Sequence, residues 1–121
     1  MAGMELGVIE RRFADVIWQR APVRSSELVA LAAAEFQWKR TTTHTVIRRL
    51  CDKGLFINEG GTIRALVSRE QYDSRQSRQF VAEAFQGSLP AFVAAFTRGK
   101  SLTSEEAEAL REMIDRAEET P

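Results

Sequence analysis

The stretch from Arg40 to Gly54, RTTTHTVIRRLCDKG, constrains the fold of this chain more than any other. Its apolar residues are spaced as one stripe of an α-helix, and they are Val46, Ile47, Leu50 and Cys51. Gly54 stands where helices often end in a left-handed residue, and Lys53 suits the negative end of the helix dipole. The pattern therefore predicts a helix of about three turns that buries one face.

The opposite face of this predicted helix is rich in hydroxyl groups and cations, and it has no carboxylate before Asp52. Together with the residues just ahead of it, it comprises Lys39, Arg40, Thr41, Thr42, His44, Thr45, Arg48 and Arg49. Threonine is a modest helix former, so a cluster at a helix start suggests contact with another molecule. Hydroxyls bond phosphates and base edges, and arginines take phosphates or guanine, which fits duplex DNA. A solvated face with capping threonines is the alternative, and Arg49 could instead be a structural ion-pair partner.

Positive charge is concentrated in the first part of the chain, although 17 basic and 17 acidic residues balance overall. Residues 1–68 carry ten basic and seven acidic side chains, a net of +3, whereas residues 69–121 carry seven and ten, a net of −3. This asymmetry indicates two functional halves, the first of which faces an anion. The single cysteine cannot form an internal disulfide, and we find neither a long apolar run nor a signal peptide. We therefore expect a cytoplasmic protein without membrane insertion.

The elements around the predicted helix complete a winged helix-turn-helix DNA-binding domain over residues 1–68. Apolar residues at the helical period indicate a first helix over residues 5–19, and Ser25 or Ser26 would cap a second. After the third helix, two β-prone runs flank Gly60 and Gly61, which is a hairpin signal. The predicted fold class is thus mostly α with a small β-hairpin wing.

Residues 69–121 are predicted to form three amphipathic helices. Capping boxes at Ser68–Gln71 and Thr103–Glu106 open the first and the last of them. So short a segment is too small for a comfortable core of its own, and its phenylalanines need burial. We expect a helical dimerisation domain that packs on a second copy of the chain through Phe80, Phe85, Leu89, Phe92, Val93, Phe96, Leu110 and Ile114. Packing on residues 1–68 within one monomer is the alternative.

The sequence lacks the groups of a typical active site. One histidine and one cysteine cannot build a zinc site of the usual spacing, and there is no glycine-rich phosphate loop. His44 stands in a cationic stretch without a nearby carboxylate, which argues against a catalytic triad. We therefore expect no enzyme activity, no metal and no cofactor. We interpret Cys51 as a small core residue and Trp38 as packing beneath the helix-turn-helix, with stacking on a base as the alternative for Trp38.

Several short motifs are spaced along nearly the full length of the chain, and they are Val16-Ile17-Trp18, Trp38 followed by threonines, Arg49-Leu50, Lys53-Gly54-Leu55, Ser68 to Tyr72, Gly87-Ser88-Leu89, Phe92 to Phe96, and Leu102 to Glu106. In their order and spacing the chain resembles the penicillinase-repressor family of bacterial transcriptional regulators, the BlaI/MecI type. The resemblance implies a homodimer that occupies a palindromic operator in double-stranded DNA and blocks transcription. The third helix would make the main DNA contacts, and the wing would touch the flanking backbone.

The resemblance also implies a way for repression to end. In antibiotic-responsive members a sensor-linked protease cuts the repressor within its dimerisation region, and the matching bond here is Ala95–Phe96. The best-known members have asparagine before the phenylalanine, whereas this chain has alanine. An antibiotic or cell-envelope signal is then the expected inducer, and the alternative is that both residues are simply part of the core.

The chain departs from the family pattern at two places and lacks a motif of one branch of the family. Its wing, Asn58 to Thr62, is short and nearly uncharged, and Arg11 and Ala14 stand where larger apolar residues are common. The C-terminal half has no cysteine, which excludes the Cys-x-Cys motifs of copper-responsive members. The rival function is a winged-helix protein-interaction module without DNA binding, but such a module would more often expose apolar anchors on its third helix.

Overall fold

A computed structural model describes residues 5–118 of the protein. In chain order, the described residues form α1 (Val8–Arg20), β1 (Val23–Arg24), α2 (Ser25–Phe36), α3 (Arg40–Asp52), β2 (Phe56–Glu59), β3 (Thr62–Ala65), α4 (Arg69–Ala84), α5 (Leu89–Thr97) and α6 (Ser104–Ala117). The chain divides into two compact units between Ser77 and Arg78, within α4. The functional boundary at residue 68 stays a prediction, and residues 1–4 and 119–121 of the two expected domains lie outside the described part.

The expected fold class, mostly α with a β-hairpin wing, is confirmed. Strands β2 and β3 pair antiparallel with Phe56 opposite Ala65 and Glu59 opposite Thr62. Gly60 and Gly61 make the turn with φ of +61° and +95°, a region that glycine enters without steric cost. The side-chain oxygen of Asn58 accepts a hydrogen bond from the Gly61 N–H at 2.8 Å, which closes the turn.

The sheet has a third strand, β1, that the sequence did not indicate. It pairs antiparallel with β3, so the strand order is β1-β3-β2, with Val23 opposite Ile63. Two residues are too few to show the alternation of a strand, and their strand partners lie about 40 residues further along the chain.

The expectation that Ser25 or Ser26 caps α2 is wrong, because the pairing of β1 with β3 fixes the chain at the start of this helix. Arg24 occupies the N-cap position without a side-chain cap, and the Ser25 N–H donates to the Gly61 carbonyl at 2.8 Å.

Both predicted capping boxes are present. The Gln71 N–H donates to the Ser68 hydroxyl at 3.0 Å, and the Gln71 side chain accepts from the Ser68 N–H at 2.8 Å. Thr103 and Glu106 exchange the same two bonds, each at 3.0 Å. These boxes fix the starts of α4 and α6 through residues three apart, which is why sequence alone predicted them.

The first unit contains the hydrophobic core. Its buried apolar residues are Phe13, Ala14, Ile17, Val23, Leu28, Ala32, Val46, Ile47, Leu50, Leu55, Phe56, Ile63 and Tyr72. The Trp38 ring lies 5.1 Å from the Phe13 ring and 4.9 Å from the Phe36 ring, measured between centroids. The prediction that Trp38 packs is therefore confirmed, and so is the placement of Cys51 against the core.

The second unit has no such core within the described residues 78–118, because none of their side chains is buried. The four phenylalanines contact one another, with centroid distances of 5.9 Å for Phe80–Phe85, 5.6 Å for Phe85–Phe92 and 6.1 Å for Phe92–Phe96. Even so, 53% of Phe80 and 60% of Phe96 remain exposed. The unit thus presents aromatic surface that a stable fold would ordinarily cover.

Within residues 5–118, no single helix is long and apolar enough to cross a membrane, although α4 and α5 together, as a bent pair, have sufficient length and apolar composition.

The core of the first unit predicts a strong effect of Phe13. Its side chain is fully buried beside Trp38 and Phe36, so Phe13→Ala would leave a cavity and lower the free energy of unfolding by about 3–5 kcal/mol. Urea denaturation measures this change. Val8→Ala on the same helix is the control, because Val8 is 78% exposed and its loss should cost about 0.5 kcal/mol or less. Equal losses for both variants would contradict this placement of Phe13.

Candidate functional site

Helix α3 has one buried and one exposed face. The buried side chains are Thr43, Val46, Ile47 and Leu50. The exposed side chains, including the N-cap residue, are Lys39, Arg40, Thr41, Thr42, Thr45, Arg48, Arg49 and, at the C-terminal end, Asp52, whereas His44 is half-buried. The helix therefore presents all the residues predicted to contact DNA on the side away from the core, with His44 at the margin. Because the core holds the opposite side, this surface has a fixed orientation.

Two of the threonine hydroxyls are used within the helix. The hydroxyl of Thr43, which is fully buried, donates to the Lys39 carbonyl at 3.2 Å, and that of Thr45 donates to the Thr41 carbonyl at 2.9 Å. Threonine side chains in helices often bond the carbonyl four residues earlier. The Thr45 oxygen keeps its acceptor capacity, and the residue is exposed.

The basic end of α3 is tied to α1 through Glu10. One Glu10 oxygen lies 3.1 Å from Arg49 Nη1, and the other lies 3.1 Å from Lys53 Nζ. Lys53 Nζ also donates to the Glu5 carbonyl. Burial alone would raise the pKa of Glu10, but hydrogen bonds from Arg49, Lys53 and the Gly7 N–H lower it below the ordinary 4.5. The sequence analysis offered a structural ion pair as the alternative role of Arg49. The structure contains such a pair, with Glu10, although 52% of the Arg49 side chain stays exposed.

Arg48 differs from Arg49 because it has no hydrogen bond or ion pair among the described residues. Its guanidinium is exposed on the same face as Thr41 and Thr45. An arginine that is not held by a carboxylate can engage a phosphate without first breaking an internal pair. Of the two arginines, Arg48 is thus the freer cation.

The wing carries a cation that the sequence analysis missed. Arg24 of β1 reaches across the turn, where its Nη1 donates to the Thr62 hydroxyl at 3.1 Å and to the Gly60 carbonyl at 3.4 Å. A Cβ on Gly61 would lie only 3.2 Å from Arg24 Nη2, so the guanidinium covers the turn closely. Arg64 is already paired with Glu59 at 2.8 Å. The pairing of β1 with β3, invisible in the sequence, places Arg24 on an otherwise nearly neutral wing.

The second unit holds an apolar groove between α5 and α6. The groove has a volume of about 370 Å³, and its lining residues are Phe92, Val93, Phe96, Thr97, Leu102, Glu106, Ala109 and Leu110. Four of the predicted interface residues therefore line one groove. The lining residues Leu102 and Ala109 were missed, since Leu102 precedes α6 and Ala109 is small.

The remaining predicted interface residues lie outside the groove. Phe80 and Phe85 contact Phe92, whereas Leu89 and Ile114 are exposed and do not line it. Ala95 is half-buried near the end of α5, next to exposed Phe96.

Residues 5–118 contain no group of three or more His, Cys, Asp or Glu side chains that could hold a metal ion. Burial and the neighbouring Asp52 raise the pKa of the Cys51 thiol, which disfavours the reactive thiolate. Cys51 is therefore a packing residue.

Comparison with known proteins assigns the sequence to a family. The sequence model of the family described as "Penicillinase repressor" matches residues 6–116, which extends over both compact units. The chain belongs to the penicillinase repressor family. Its members are transcriptional repressors rather than enzymes, so the sequence-based resemblance is confirmed.

A relative of this repressor is the "Methicillin resistance regulatory protein MecI" of Mammaliicoccus sciuri. The two chains are 22% identical over 116 residues, which cover 93% of this chain and 94% of that protein. The similarity thus includes the repressor's winged helix and its C-terminal helices.

The lowered pKa of Glu10 predicts a pH-dependent role in the repressor's stability. A carboxylate whose pKa is lowered by folding stabilises the protein above its ordinary pKa of 4.5, and this contribution is lost as the pH falls through the folded-state pKa. Glu10→Gln should therefore reduce the free energy of unfolding by about 0.5–1 kcal/mol at neutral pH. The difference from the wild type should shrink once the pH falls below the ordinary value.

Urea denaturation over a series of pH values measures this difference. Glu35→Gln is the matched control, since Glu35 is exposed and has no ion pair among the described residues. A difference for Glu10→Gln that stays constant down to about pH 3 would mean that the carboxylate charge does not stabilise the fold.

Proposed function

We propose that the repressor acts as a homodimer in which each α3 binds one half of a palindromic operator and so blocks transcription. The observation that carries this proposal is the exposed face of α3, which combines four basic residues with threonines and includes no acidic residue between Glu35 and Asp52. Such a face matches the phosphates and base edges of a major groove. Membership of a repressor family supports it.

In this proposal the residues of α3 divide by chemistry. Lys39, Arg40, Arg48 and Arg49 contact phosphates, which sets affinity and register, whereas Thr41, Thr42, His44 and Thr45 face base edges. Arg49 would have to share its guanidinium between Glu10 and DNA, so Arg48 is the better phosphate contact. Arg24 supplies the wing with the positive charge that its own turn lacks.

The second unit joins the two copies. Its described side chains are all at least partly exposed, and Phe92, Val93, Phe96 and Leu110 line an apolar groove. A second chain that covers this surface removes it from water, at about 25 cal/mol per Å² of apolar area. Dimerisation makes the second half-site contact effectively intramolecular, which raises operator affinity without any new base contact.

Repression ends, in this proposal, when an antibiotic or cell-envelope signal leads a sensor-linked protease to cut the Ala95–Phe96 bond. The cut removes Phe96 from the groove and divides α5, so dimerisation is lost while α3 stays intact. A bond inside a helix is cut only after local opening. No residue of α5 is buried within the chain itself, which favours such opening in the free subunit.

The electrostatic part of the proposal predicts how binding depends on salt. In gel-shift titrations with the DNA upstream of its own gene, the logarithm of the affinity should fall linearly with the logarithm of the salt concentration. Arg48→Ala removes one phosphate contact per subunit, so the slope should become shallower by about 0.9 per contact, or about 1.8 per dimer. The affinity should weaken similarly for all sequences.

Arg111→Ala is the matched control for Arg48→Ala. It removes the same charge from α6, where Arg111 is 71% exposed and paired only with Glu108 among the described residues, and it should leave the slope unchanged. A flat slope for the wild type would overturn the electrostatic account. No shift of the upstream DNA at any salt concentration would favour the protein-interaction module instead.

The derepression mechanism predicts a specific fragment. Cells that carry the native operon should, after exposure to a cell-wall antibiotic, contain a fragment of the repressor that ends at Ala95, because the cut separates Ala95 from Phe96. Mass spectrometry of the purified protein detects it, and untreated cells provide the control. Intact repressor alongside full derepression would rule out this cleavage, and fragments ending at scattered positions would indicate ordinary degradation.

A further inference from the structure

Arg11 is one of the residues that depart from the family pattern, and the structure shows what its charge contacts. Its Nη1 and Nη2 form a fork on the two carboxylate oxygens of Asp73, at 2.7 and 3.4 Å. Its Nε donates to Asp15 on the same helix at 3.0 Å. Arg11 therefore bridges α1 and α4 through a contact between residues that lie 62 positions apart in the chain.

A second arginine, Arg69 on α4, contacts Asp15 on α1. Arg69 Nε donates to the same Asp15 oxygen at 3.1 Å, and Arg69 Nη2 donates to the Asp15 backbone carbonyl at 3.2 Å. The cluster thus contains two cations and two carboxylates, with one of each on either helix. We refer to Arg11, Asp15, Arg69 and Asp73 as the α1–α4 clamp.

Two aromatic rings pack against the Arg11 guanidinium of the clamp. The Arg11 guanidinium carbon lies 5.6 Å from the ring centroids of both Trp18 and Tyr72, a distance at which cations are attracted to ring faces. Tyr72 is buried, and the Trp18 indole N–H donates to the Val67 carbonyl at 2.9 Å. The chain just before α4 and the first turns of α4 are therefore held on α1 by both charge and packing.

All four clamp residues belong to the first unit, whereas α4 continues past Ser77 into the second. Segment 69–77 is thus the start of the covalent link between the winged helix and the predicted dimerisation helices. The effective concentration of a second binding site falls when its linker becomes longer or more flexible. Whether the start of α4 is held or released therefore affects how well a dimer engages two half-sites.

We propose that the α1–α4 clamp is a positioning device for operator binding, because it keeps the link from the winged helix short and stiff. The inference rests on the proposed dimeric function. Isolated surface ion pairs contribute little to stability, but a forked arginine–carboxylate contact within a network restricts geometry. The clamp residues do not touch DNA in this account. Instead, they raise the affinity for the full palindrome relative to the affinity for a single half-site.

The test uses the full chain and two DNA duplexes at one fixed salt concentration. One duplex carries the palindrome footprinted upstream of its own gene, and the other carries the same sequence with one half scrambled. Asp73→Asn removes the carboxylate charge with little change in shape. It should reduce the preference for the full palindrome about tenfold, while half-site affinity and the dimer dissociation constant change by about twofold or less.

Two further variants separate positioning from a loss of charge or of structure. Glu70→Gln removes an exposed acid from the same turns of α4 and should leave the preference unchanged. The double variant Arg11→Ala/Asp73→Ala should lose no more preference for the full palindrome than Arg11→Ala alone, because Arg11→Ala already removes the Arg11–Asp73 contact. Thermal unfolding of each variant checks that the winged helix remains folded.

An unchanged full-palindrome preference for Asp73→Asn would overturn the proposal. Equal weakening on both duplexes would also overturn it, since that pattern indicates a general loss of structure. A wild-type protein that shows no preference for the full palindrome would refute the dimeric operator function itself, and this result appears before any clamp variant is measured.

Discussion

The burial of one face of α3 is the interaction on which the rest of the first unit depends. Val46, Ile47 and Leu50 are almost completely removed from water, together with Phe13 and Leu55 from the neighbouring segments. Because these side chains point inward, Thr41, Arg48 and their neighbours must point outward. The free energy that folds the domain therefore also orients the surface assigned to DNA, and no separate element is needed to present it.

The second unit shows the opposite condition. The rings of Phe80, Phe85 and Phe92 contact each other edge to face, and Phe96 contacts Phe92 at a tilt, but the described part of the unit buries none of them. A segment of this size cannot cover its apolar surface alone, and the groove between α5 and α6 is the clearest part of that surface. Association with another copy would provide the missing burial and, at the same time, link two α3 helices. One physical requirement would then account for both the proposed dimer and its proposed binding to two half-sites.

Local signals made most of the fold predictable from sequence. The stripe of α3, the turn at Gly60 and Gly61, and the two capping boxes all depend on residues within a few positions of one another. What sequence did not indicate depends on distant partners. Strand β1 exists only through its pairing with β3, and this pairing also displaces the expected serine cap and places Arg24 on the wing.

The charged contacts were equally hard to predict. Arg11 departed from the apolar pattern of its helix, but its partner Asp73 lies 62 residues away, so nothing nearby in the sequence identified its role. The ion pair of Arg49 was foreseen only as an alternative, and its partner Glu10 is likewise distant in sequence. The proposed DNA and dimer contacts involve molecules outside the chain, so the sequence indicates them through residue type rather than through partners within the chain.

Sedimentation equilibrium of the full chain and of Phe96→Ser shows whether the second unit joins two copies. We expect a dimer at micromolar concentration for the wild type. We expect a shift toward monomer for Phe96→Ser, because the substitution places a polar group in the apolar groove. A wild-type chain that stays monomeric at that concentration would contradict dimerisation through the second unit, as would a Phe96→Ser variant that dimerises as tightly as the wild type.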